Sequence, residues 1–265
     1  MRPMNGVLAT TCACVVAVSL QSAPIDASSD RPDAGVQQHA APAGARAAST
    51  PNTLTPEEQR NGWKLLWDGR TTAGWHLFGG GAVKGWDIVD GELIALGQGG
   101  ERANDIVTDD EYEHFELTID WKLSSRANSG ILYNVIEEGV TVIYAGAPEY
   151  QLIDDRGWPD KLEDWQHSGA NYAMDPPSRI ATKPIGDWNH TRIIVDHGKV
   201  QHWLNGEKVV EYELWTPRWE QQKQAGKWKD FPKYGVARRG KIGLQDHGNK
   251  VYFRNIKIRP LPSTK

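Results

Sequence analysis

The residues best suited to acid–base chemistry stand in one short run near the middle of the chain, from Pro148 to Asp155. Polar and apolar residues alternate along this run, and a proline and two aspartates bound it, which predicts a strand. Because successive side chains point to opposite faces of a strand, Glu149 and Gln151 share one face. Unpaired polar groups are costly to bury. This face is therefore either a solvated outer surface or the lining of a polar groove.

A histidine further along the chain offers a second group for proton transfer. His247 follows Leu244-Gln245-Asp246, and Gln245 and His247 share a face if this backbone is extended. An imidazole with its ordinary pKa, about 6.5, can move protons near neutral pH. Glu149 and His247 are therefore the candidate acid and base. The alternatives are a structural carboxylate paired with an arginine, and a turn histidine beside Gly248.

Short strand-like runs, which must position these side chains, dominate the chain from Trp63 onward. Gly, Asp, Asn and Pro separate these runs, and Asp90-Gly91 and Asn205-Gly206 fit two-residue hairpin turns. The best helical candidate, residues 217–226, is short and polar. The pattern predicts an all-β fold, a two-sheet antiparallel jelly-roll sandwich with a short helix. We expect its first and last strands, Trp63–Trp67 and Val251–Ile258, to pair.

Residues 1–60 do not resemble a folded domain. An uncharged apolar run of about 14 residues follows Arg2; it is too short to span a membrane and is typical of a secretory signal peptide. Residues 24–60 are rich in Ala, Pro and Ser, which predicts a flexible linker. We expect a signal peptide at 1–23, a linker at 24–60 and one domain at 61–262. The protein is then periplasmic or secreted.

Composition excludes several partners and cofactors. Both cysteines, Cys12 and Cys14, lie in the apolar run, so the domain has no disulfide and no cysteine-bound metal. Ala9-Thr10-Thr11 is a poor lipid-attachment signal before Cys12, which disfavours a lipid anchor. The net charge is −4 with both signs interspersed, which argues against nucleic acid or an anionic membrane. No cofactor is expected. Oxygen ligands for Ca²⁺ could come from Asp154, Asp155 and Asp160, but acidic turns are common without metal.

Aromatic residues are abundant, with twelve Trp and eight Tyr in the chain. Most of them should lie in the core of a large sandwich. Those in loops rich in Gly, Asp or Pro are Trp75, Trp158, Trp165 and Trp219. Exposed rings beside a polar groove suit the C–H faces of sugar rings, so the composition indicates a carbohydrate as the partner.

Several phrases, in order and at consistent spacing, carry a resemblance to a known family. They are Leu65-Leu-Trp-Asp-Gly69 with Gly74-Trp75, Trp86-Asp-Ile-Val-Asp-Gly-Glu-Leu93, Asn128-Ser-Gly-Ile131, Glu149-Tyr-Gln-Leu-Ile-Asp154, Gly186-Asp-Trp-Asn189, Trp203-Leu-Asn-Gly206, Gly243-Leu-Gln-Asp-His-Gly248 and Phe253-Arg-Asn-Ile256. Over residues 62–260 the chain resembles the 3-keto-disaccharide hydrolase family of secreted bacterial proteins. The resemblance implies a concanavalin-like jelly roll, a groove on its concave face, and activity on glycosides already oxidised to a ketone at C3. It also implies an upstream sugar 3-oxidoreductase.

The C3 ketone that the resemblance implies would allow cleavage by elimination, although direct displacement at C1 stays open as the alternative. A ketone at C3 acidifies the C2 proton, so abstraction of that proton would give an enediolate-like intermediate that expels the C1 oxygen, with water added afterwards. Glu149 and His247 would be acid and base in either order, with Gln151 orienting Glu149. Lys122 would stabilise the O3 oxyanion, unless it is a solvated lysine.

Further sugar contacts are expected from Asn128, Asn134, Asp154, Tyr172 and Gln245. Asp154 joins them only if its strand ends or bulges there. Many family members carry Arg where this chain has Asn134, so a substrate contact at that position is expected to differ.

Three other interpretations stay open. An ordinary retaining glycosidase of this shape needs two carboxylates about 5–5.5 Å apart, usually on one strand as Glu-x-Asp-x-x-Glu, and the run from Glu149 lacks the second. A non-catalytic carbohydrate-binding module would hold glycans through aromatic rings alone and would show no turnover. A lectin-like attachment domain is compatible with a single domain on a tether.

Overall fold

The computed structural model describes residues 50–98 and 104–263, which form a sandwich of two antiparallel sheets. The strands of this region, β1 to β13, are Lys64–Leu65, Trp75–Leu77, Trp86–Val89, Glu92–Ala95, Ile106–Thr108, Phe115–Leu123, Asn128–Val135, Glu149–Ile153, Asn189–Asp196, Lys199–Leu204, Glu207–Glu213, Lys241–Leu244 and Val251–Pro260. The helices are α1 (Pro56–Arg60) and α2 (Pro217–Ala225), with 3-10 turns at Ile143–Ala145, Asp164–Gln166 and Lys227–Asp230. Within these described ranges, no helix has the length and hydropathy needed to cross a bilayer.

The two sheets face each other across one main core. The larger has the order β11-β10-β9-β6-β13-β4-β3, with β1 also paired to β13, and the smaller has the order β2-β5-β12-β7-β8. Along β6, buried Leu117, Ile119 and Trp121 alternate with half-exposed residues, the period of two expected of a strand with one face inward. From the smaller sheet, Ile131 and Tyr150 point into the same core.

The predicted all-β sandwich is confirmed, together with several of its connections. Lys64 of β1 lies opposite Ile258 of β13, so the first and last predicted strands pair. The predicted hairpin turn at Asp90-Gly91 has φ values of 52° and 73°, and the one at Asn205-Gly206 has 52° and 88°. Positive φ at both central residues is what a type I′ turn requires.

Residues 50–60, which the sequence places in the flexible linker, pack on the last strand. The Asn52 and Asn255 backbone N–H groups each donate to the other residue's side-chain oxygen, at 2.7 and 2.8 Å. Glu58 caps α1 together with Thr55 and also accepts from the Lys257 ammonium at 2.8 Å. These polar contacts order the segment without large apolar side chains, so the fold begins ahead of residue 61. The predicted signal peptide and linker residues 24–49 lie outside the described residues.

Two of the four tryptophans predicted to be exposed in loops are buried. Trp75 is 5% exposed, because its residue belongs to the short strand β2 and its indole N–H donates to the Leu66 carbonyl at 2.7 Å. Trp219 of α2 is 4% exposed and stacks between Tyr212 and Tyr234. The prediction of surface rings at these two positions is therefore wrong. Trp158 and Trp165 are half-buried.

Candidate active site

Strand β8 presents its polar residues to a pocket on the outer face of the smaller sheet. Tyr150 and Leu152 point into the core, whereas Glu149 and Gln151 line the pocket, which confirms the predicted facing. The free edge of β8 is covered by the chain at 169–172. There the Gly169 and Tyr172 N–H groups donate to the Gln151 and Glu149 carbonyls at 2.9 and 3.0 Å. The polar face of β8 is thus the floor of a pocket and not an open surface.

The pocket has a volume of about 310 Å³ and a polar lining. It is lined by Asn128, Tyr144, Glu149, Gln151, Tyr172, Lys227, Gln245 and His247. All of these except Tyr144 and Lys227 are site residues predicted from the sequence. Three separate stretches of chain, on β7, on β8 and just after β12, supply most of them.

Cross-strand pairing explains how these distant residues meet. Gly130 of β7 lies opposite Gln151 of β8, and the Gln245 N–H donates to the Gly130 carbonyl at 3.1 Å. Gln245, Gly130 and Gln151 therefore form one row across the sheet with a common face. Glu149 lies in the same row as Leu132 and Gly243, so with an extended chain beyond β12 His247 is two strands across and four residues along from it, roughly 16 Å between their backbones at ordinary strand dimensions. This separation leaves room for a sugar ring between the two side chains.

The chain that carries Gln245 and His247 is held by buried groups beyond the end of β12. The Ser129 hydroxyl donates to the Gln245 carbonyl at 2.7 Å, and the Asp246 N–H donates to Asp105 Oδ1 at 2.9 Å. Burial raises the pKa of the Asp105 carboxyl to about 7; the Asp246 N–H opposes this shift and the Asp246 charge adds to it. Both contacts hold the peptide group between Gln245 and Asp246, directly ahead of His247.

The Glu149 side chain is oriented by its neighbours. With the Gln151 amide turned so that both of its ends are satisfied, its nitrogen donates to Glu149 Oε1 at 3.1 Å and to the Ser129 carbonyl at 3.2 Å. In the opposite orientation of this amide, its nitrogen donates instead to the Asn128 side-chain oxygen at 3.4 Å. Glu149 also lies directly over Gly130, which leaves space for it only because Gly130 has no side chain. These contacts agree with the predicted role of Gln151 as an orienting amide.

Glu149 is the carboxyl group with the altered acidity in this pocket. Burial raises its pKa to about 8; the positive charge of Lys227 opposes this rise, and the negative charge of Asp105 adds to it. A carboxyl group with this pKa is mostly protonated at neutral pH and can donate a proton there. Burial of Tyr172, together with the charges of Glu149 and Tyr144, raises the pKa of the Tyr172 hydroxyl to about 12. The hydroxyl therefore keeps its proton and can donate a hydrogen bond.

Lys227 and Tyr144 are pocket residues that the sequence analysis missed. Lys227 belongs to the 3-10 turn Lys227–Asp230, and its ammonium lies 4.4 Å from the centre of the Tyr172 ring and 4.8 Å from that of Trp228. The Trp228 indole donates to the Tyr172 carbonyl at 3.2 Å. A lysine in a short polar turn carries no local signal of such a position. The aromatic residue beside it was the available hint.

The structure places three predicted site residues away from the pocket. Lys122 lies on the other sheet, where it pairs with Glu92 at 3.2 Å and sits over the Trp188 and Tyr252 rings. Lys122 alternates with the buried Trp121 and Leu123, so it faces away from the core, but strand alternation does not tell which sheet a strand joins.

Asn134 and Asp154 are likewise structural in their contacts. Asn134 has φ of 53° at a bulge in β7, and its amide donates to the Ala237 carbonyl at 3.3 Å. Asp154 follows the end of β8 and accepts from the Arg126 and Gly157 N–H groups, both at 2.8 Å. The prediction of substrate contacts at these two positions is therefore corrected: Asn134 lies at a β-bulge, and Asp154 holds a turn.

In the acidic loop considered as a Ca²⁺ site, the carboxylate oxygens of Asp154 and Asp155 accept hydrogen bonds from protein groups. Asp155 accepts from the Ser168 N–H and the Thr182 hydroxyl at 3.0 and 2.9 Å, and lies 3.0 Å from the His167 ring. In the part of the chain that the structure describes, no group of three or more His, Cys, Asp or Glu side chains is arranged to hold a metal.

Comparison with known proteins links this geometry to a family. A profile described as the 3-keto-alpha-glucoside-1,2-lyase-like domain matches residues 62–259. A protein of Bacteroides thetaiotaomicron named 3-keto-disaccharide hydrolase is 36% identical over 230 residues, which are 76% of this chain and 79% of that protein. These matches confirm the predicted family and the prediction of a glycosidase-type hydrolase.

Solved structures from Parabacteroides distasonis, each named as a candidate glycosyl hydrolase, share the fold. One is 42% identical with a TM-score of 0.76, covering 80% of this chain and 100% of its own. Another is 29% identical with a TM-score of 0.55, covering 71% of this chain and 99% of its own. The profile match across residues 62–259 and the 36% identical relative place the chain in the family of 3-keto-alpha-glucoside-1,2-lyase-like domains.

Proposed function

We propose that this protein cleaves the glycosidic bond of 3-keto-glycosides, including 3-keto-disaccharides, by elimination across C1 and C2 followed by addition of water. One observation carries the proposal: a buried, mostly protonated carboxyl group, Glu149, shares a polar pocket with the cation Lys227. The family description, which names a 1,2-lyase, and the relative named as a 3-keto-disaccharide hydrolase support the same chemistry.

The reaction needs three groups around the sugar. A base takes the proton from C2, which the C3 ketone has made acidic. The negative charge that develops on O3 is stabilised by a cation or by hydrogen-bond donors. An acid then gives a proton to the C1 oxygen as the C1–O bond breaks. Water adds its oxygen to C1 and a proton returns to C2, so the net reaction is hydrolysis.

The raised pKa of Glu149 supports one assignment of the acid and the base. Glu149 holds its proton at neutral pH and is the acid for the leaving oxygen. His247 lies two strands away and is the base at C2. In an α-glucoside the C2 proton and the C1 oxygen stand on opposite faces of the ring, which suits an acid and a base on opposite sides of the pocket. Lys227 takes the oxyanion role that the sequence suggested for Lys122.

An ordinary retaining glycosidase fits this pocket poorly. That mechanism uses two carboxyl groups about 5–5.5 Å apart. Among the described residues that line the pocket, Glu149 is the one carboxyl group. Asp105, which directly precedes β5, is not among the lining residues, and its backbone lies three strands from β8, about 14 Å at ordinary strand spacing. A ketone in the substrate removes the need for a second carboxylate.

The setting of the reaction follows from the same proposal. A signal peptide at residues 1–23 would export the chain to the periplasm or the medium. The ketone at C3 must be made before cleavage, so an enzyme that oxidises the C3 hydroxyl of a glycoside is the required supplier of substrate.

The requirement for the ketone tests the proposal. Purified protein is given a 3-keto-disaccharide and, separately, its unoxidised parent, and free sugars are measured over time. Cleavage of the keto sugar alone supports the proposal. Cleavage of both compounds indicates an ordinary glycosidase, and binding of either without turnover indicates a carbohydrate-binding module.

A further inference from the structure

Trp165 lies next to the pocket, in contact with one of its lining residues. It belongs to the 3-10 turn Asp164–Gln166, and its ring packs against that of Tyr172, with centroids 5.3 Å apart and planes at 72°. Tyr172 in turn lines the pocket. The Trp165 ring is half-buried and, unlike Tyr172, does not belong to the residues that pack against the main core.

The other half-buried tryptophans have evident partners, with one exception. An arginine side chain covers the ring of Trp63, of Trp188 and of Trp203. Trp86 and Trp215 pack against the core. Among the described residues, neither arrangement is found at Trp158 or Trp165. Trp165 differs from Trp158 in its contact with a pocket wall.

The turn that presents Trp165 is held firmly. The Glu163 N–H donates to the Gln166 side chain at 2.8 Å, in a reciprocal capping arrangement. Directly after the turn, the Ser168 N–H donates to the buried Asp155 at 3.0 Å. The turn therefore holds a large, half-buried aromatic ring in a fixed place beside Tyr172, as a stacking surface for a ligand requires.

Trp165 lies on the same side of the pocket as the proposed acid, Glu149. The Tyr172 N–H donates to the carbonyl of Glu149 itself at 3.0 Å, so Tyr172 and Glu149 are neighbours. The acid must reach the C1 oxygen, and the group that leaves with this oxygen must extend from the same place. Trp165 is the next ring beyond Tyr172.

We propose that Trp165 is the platform for the leaving group of the substrate and stacks against the second sugar ring of a 3-keto-disaccharide. The inference rests on the proposed function and adds a binding site to it. The pocket residues hold the keto sugar, and Trp165 holds its neighbour through the apolar face of the ring. The protein should therefore prefer a sugar over a small alcohol as the leaving group.

Two substrates and a matched control separate this site from the reaction itself. Turnover of a 3-keto-disaccharide and of methyl 3-keto-glucoside is measured with wild type, Trp165→Ala and Trp158→Ala. We expect Trp165→Ala to lower kcat/KM for the disaccharide about tenfold, mainly through KM, and to change the methyl glycoside less than about twofold. Trp158→Ala should leave both substrates unchanged.

Further variants guard against a folding defect. Trp165→Leu keeps an apolar side chain on Tyr172 but removes the aromatic face, and should behave as Trp165→Ala; Trp165→Phe should recover most of the disaccharide activity. Equal losses on both substrates, or no loss on the disaccharide, would overturn the platform while leaving the proposed function in place. If wild type cleaves neither substrate, the proposed function fails and the platform fails with it.

Discussion

A Cβ atom placed on Gly130 would stand 2.3 Å from Glu149 Oε1 and 2.8 Å from Glu149 Cδ. The two residues belong to neighbouring strands, β7 and β8, and the carboxyl side chain lies flat across the glycine. Contacts under about 3 Å between carbon and a carboxyl group are repulsive, so any side chain at position 130 must displace Glu149. The position of the acid therefore depends on a residue that has no chemistry of its own.

Gly130→Ala should lower kcat about 100-fold, because a displacement of about 1 Å in a catalytic group can have this effect. The fold should survive, since Glu149 can turn toward the pocket. Steady-state kinetics on a 3-keto-disaccharide and a melting curve measure the two effects.

Gly157→Ala is the matched control for that variant. Its Cβ would stand 2.3 Å from Asp154 Oδ2, so it meets a carboxyl group at the same distance but outside the pocket lining. We expect similar destabilisation with nearly unchanged kcat. Equal kcat for the Gly130→Ala variant and wild type would show that Glu149 need not lie where the structure has it.

Glu149→Gln should abolish most activity and raise stability at neutral pH. The loss in kcat is expected at about 10²–10⁴-fold, the usual share of an acid or base. The pKa of Glu149 is about 8 in the folded chain against an ordinary 4.5. The folded state therefore holds a proton that the unfolded state loses, and wild-type stability falls as the pH rises from about 4.5 to about 8. The amide has no such proton to lose.

Melting temperature against pH checks this effect. The variant should match wild type near pH 4.5 and exceed it increasingly toward pH 8, by roughly 2 kcal/mol or more at the upper end. Glu138→Gln, at an exposed position, should show no such divergence. A constant difference between the Glu149→Gln variant and wild type across this pH range would mean that the carboxyl group is already ionised in the fold.

Lys227→Met should lower kcat about 10²–10³-fold, the usual effect of losing one group that stabilises an oxyanion. It should also raise the pKa of Glu149 further, because the Lys227 charge normally favours the carboxylate. The limb of the pH–rate profile that reports this acid should therefore move to higher pH. Lys229→Met, in the same 3-10 turn and exposed, is the control and should change neither quantity. A normal kcat with an unshifted profile for the Lys227→Met variant would remove Lys227 from the site.

Strand β8, which carries the proposed acid Glu149, could be predicted because the facing of its side chains depends only on local alternation. Alternation along β8 places Glu149 and Gln151 together, and the same rule pairs Gln245 with His247. The hairpins at Asp90-Gly91 and Asn205-Gly206 are equally local, since positive φ favours these residues.

Residues set by long-range packing could not be found in this way. Lys122 is half-buried and Lys227 is exposed, both beside aromatic residues, and only the assembled sheets show which of them reaches the pocket. Lys227 is placed by its neighbour Trp228, which stacks on Tyr234 at 4.1 Å. The sequence pattern places Trp75 in a loop, because β2 has only three residues and lies among glycines and turns. The Asn134 bulge is likewise a property of the pairing between β7 and β12.

The most direct test of elimination across C1 and C2 is the fate of the C2 hydrogen. A 3-keto-disaccharide is cleaved by wild type in D₂O, and the released 3-keto sugar is examined by NMR and mass spectrometry at early times, beside an enzyme-free sample that measures spontaneous exchange. Our account predicts deuterium at C2 of the product at a rate that follows cleavage, and slower cleavage when the substrate carries deuterium at C2. Product that retains its original C2 hydrogen, released at an unchanged rate, would contradict elimination and indicate direct displacement at C1.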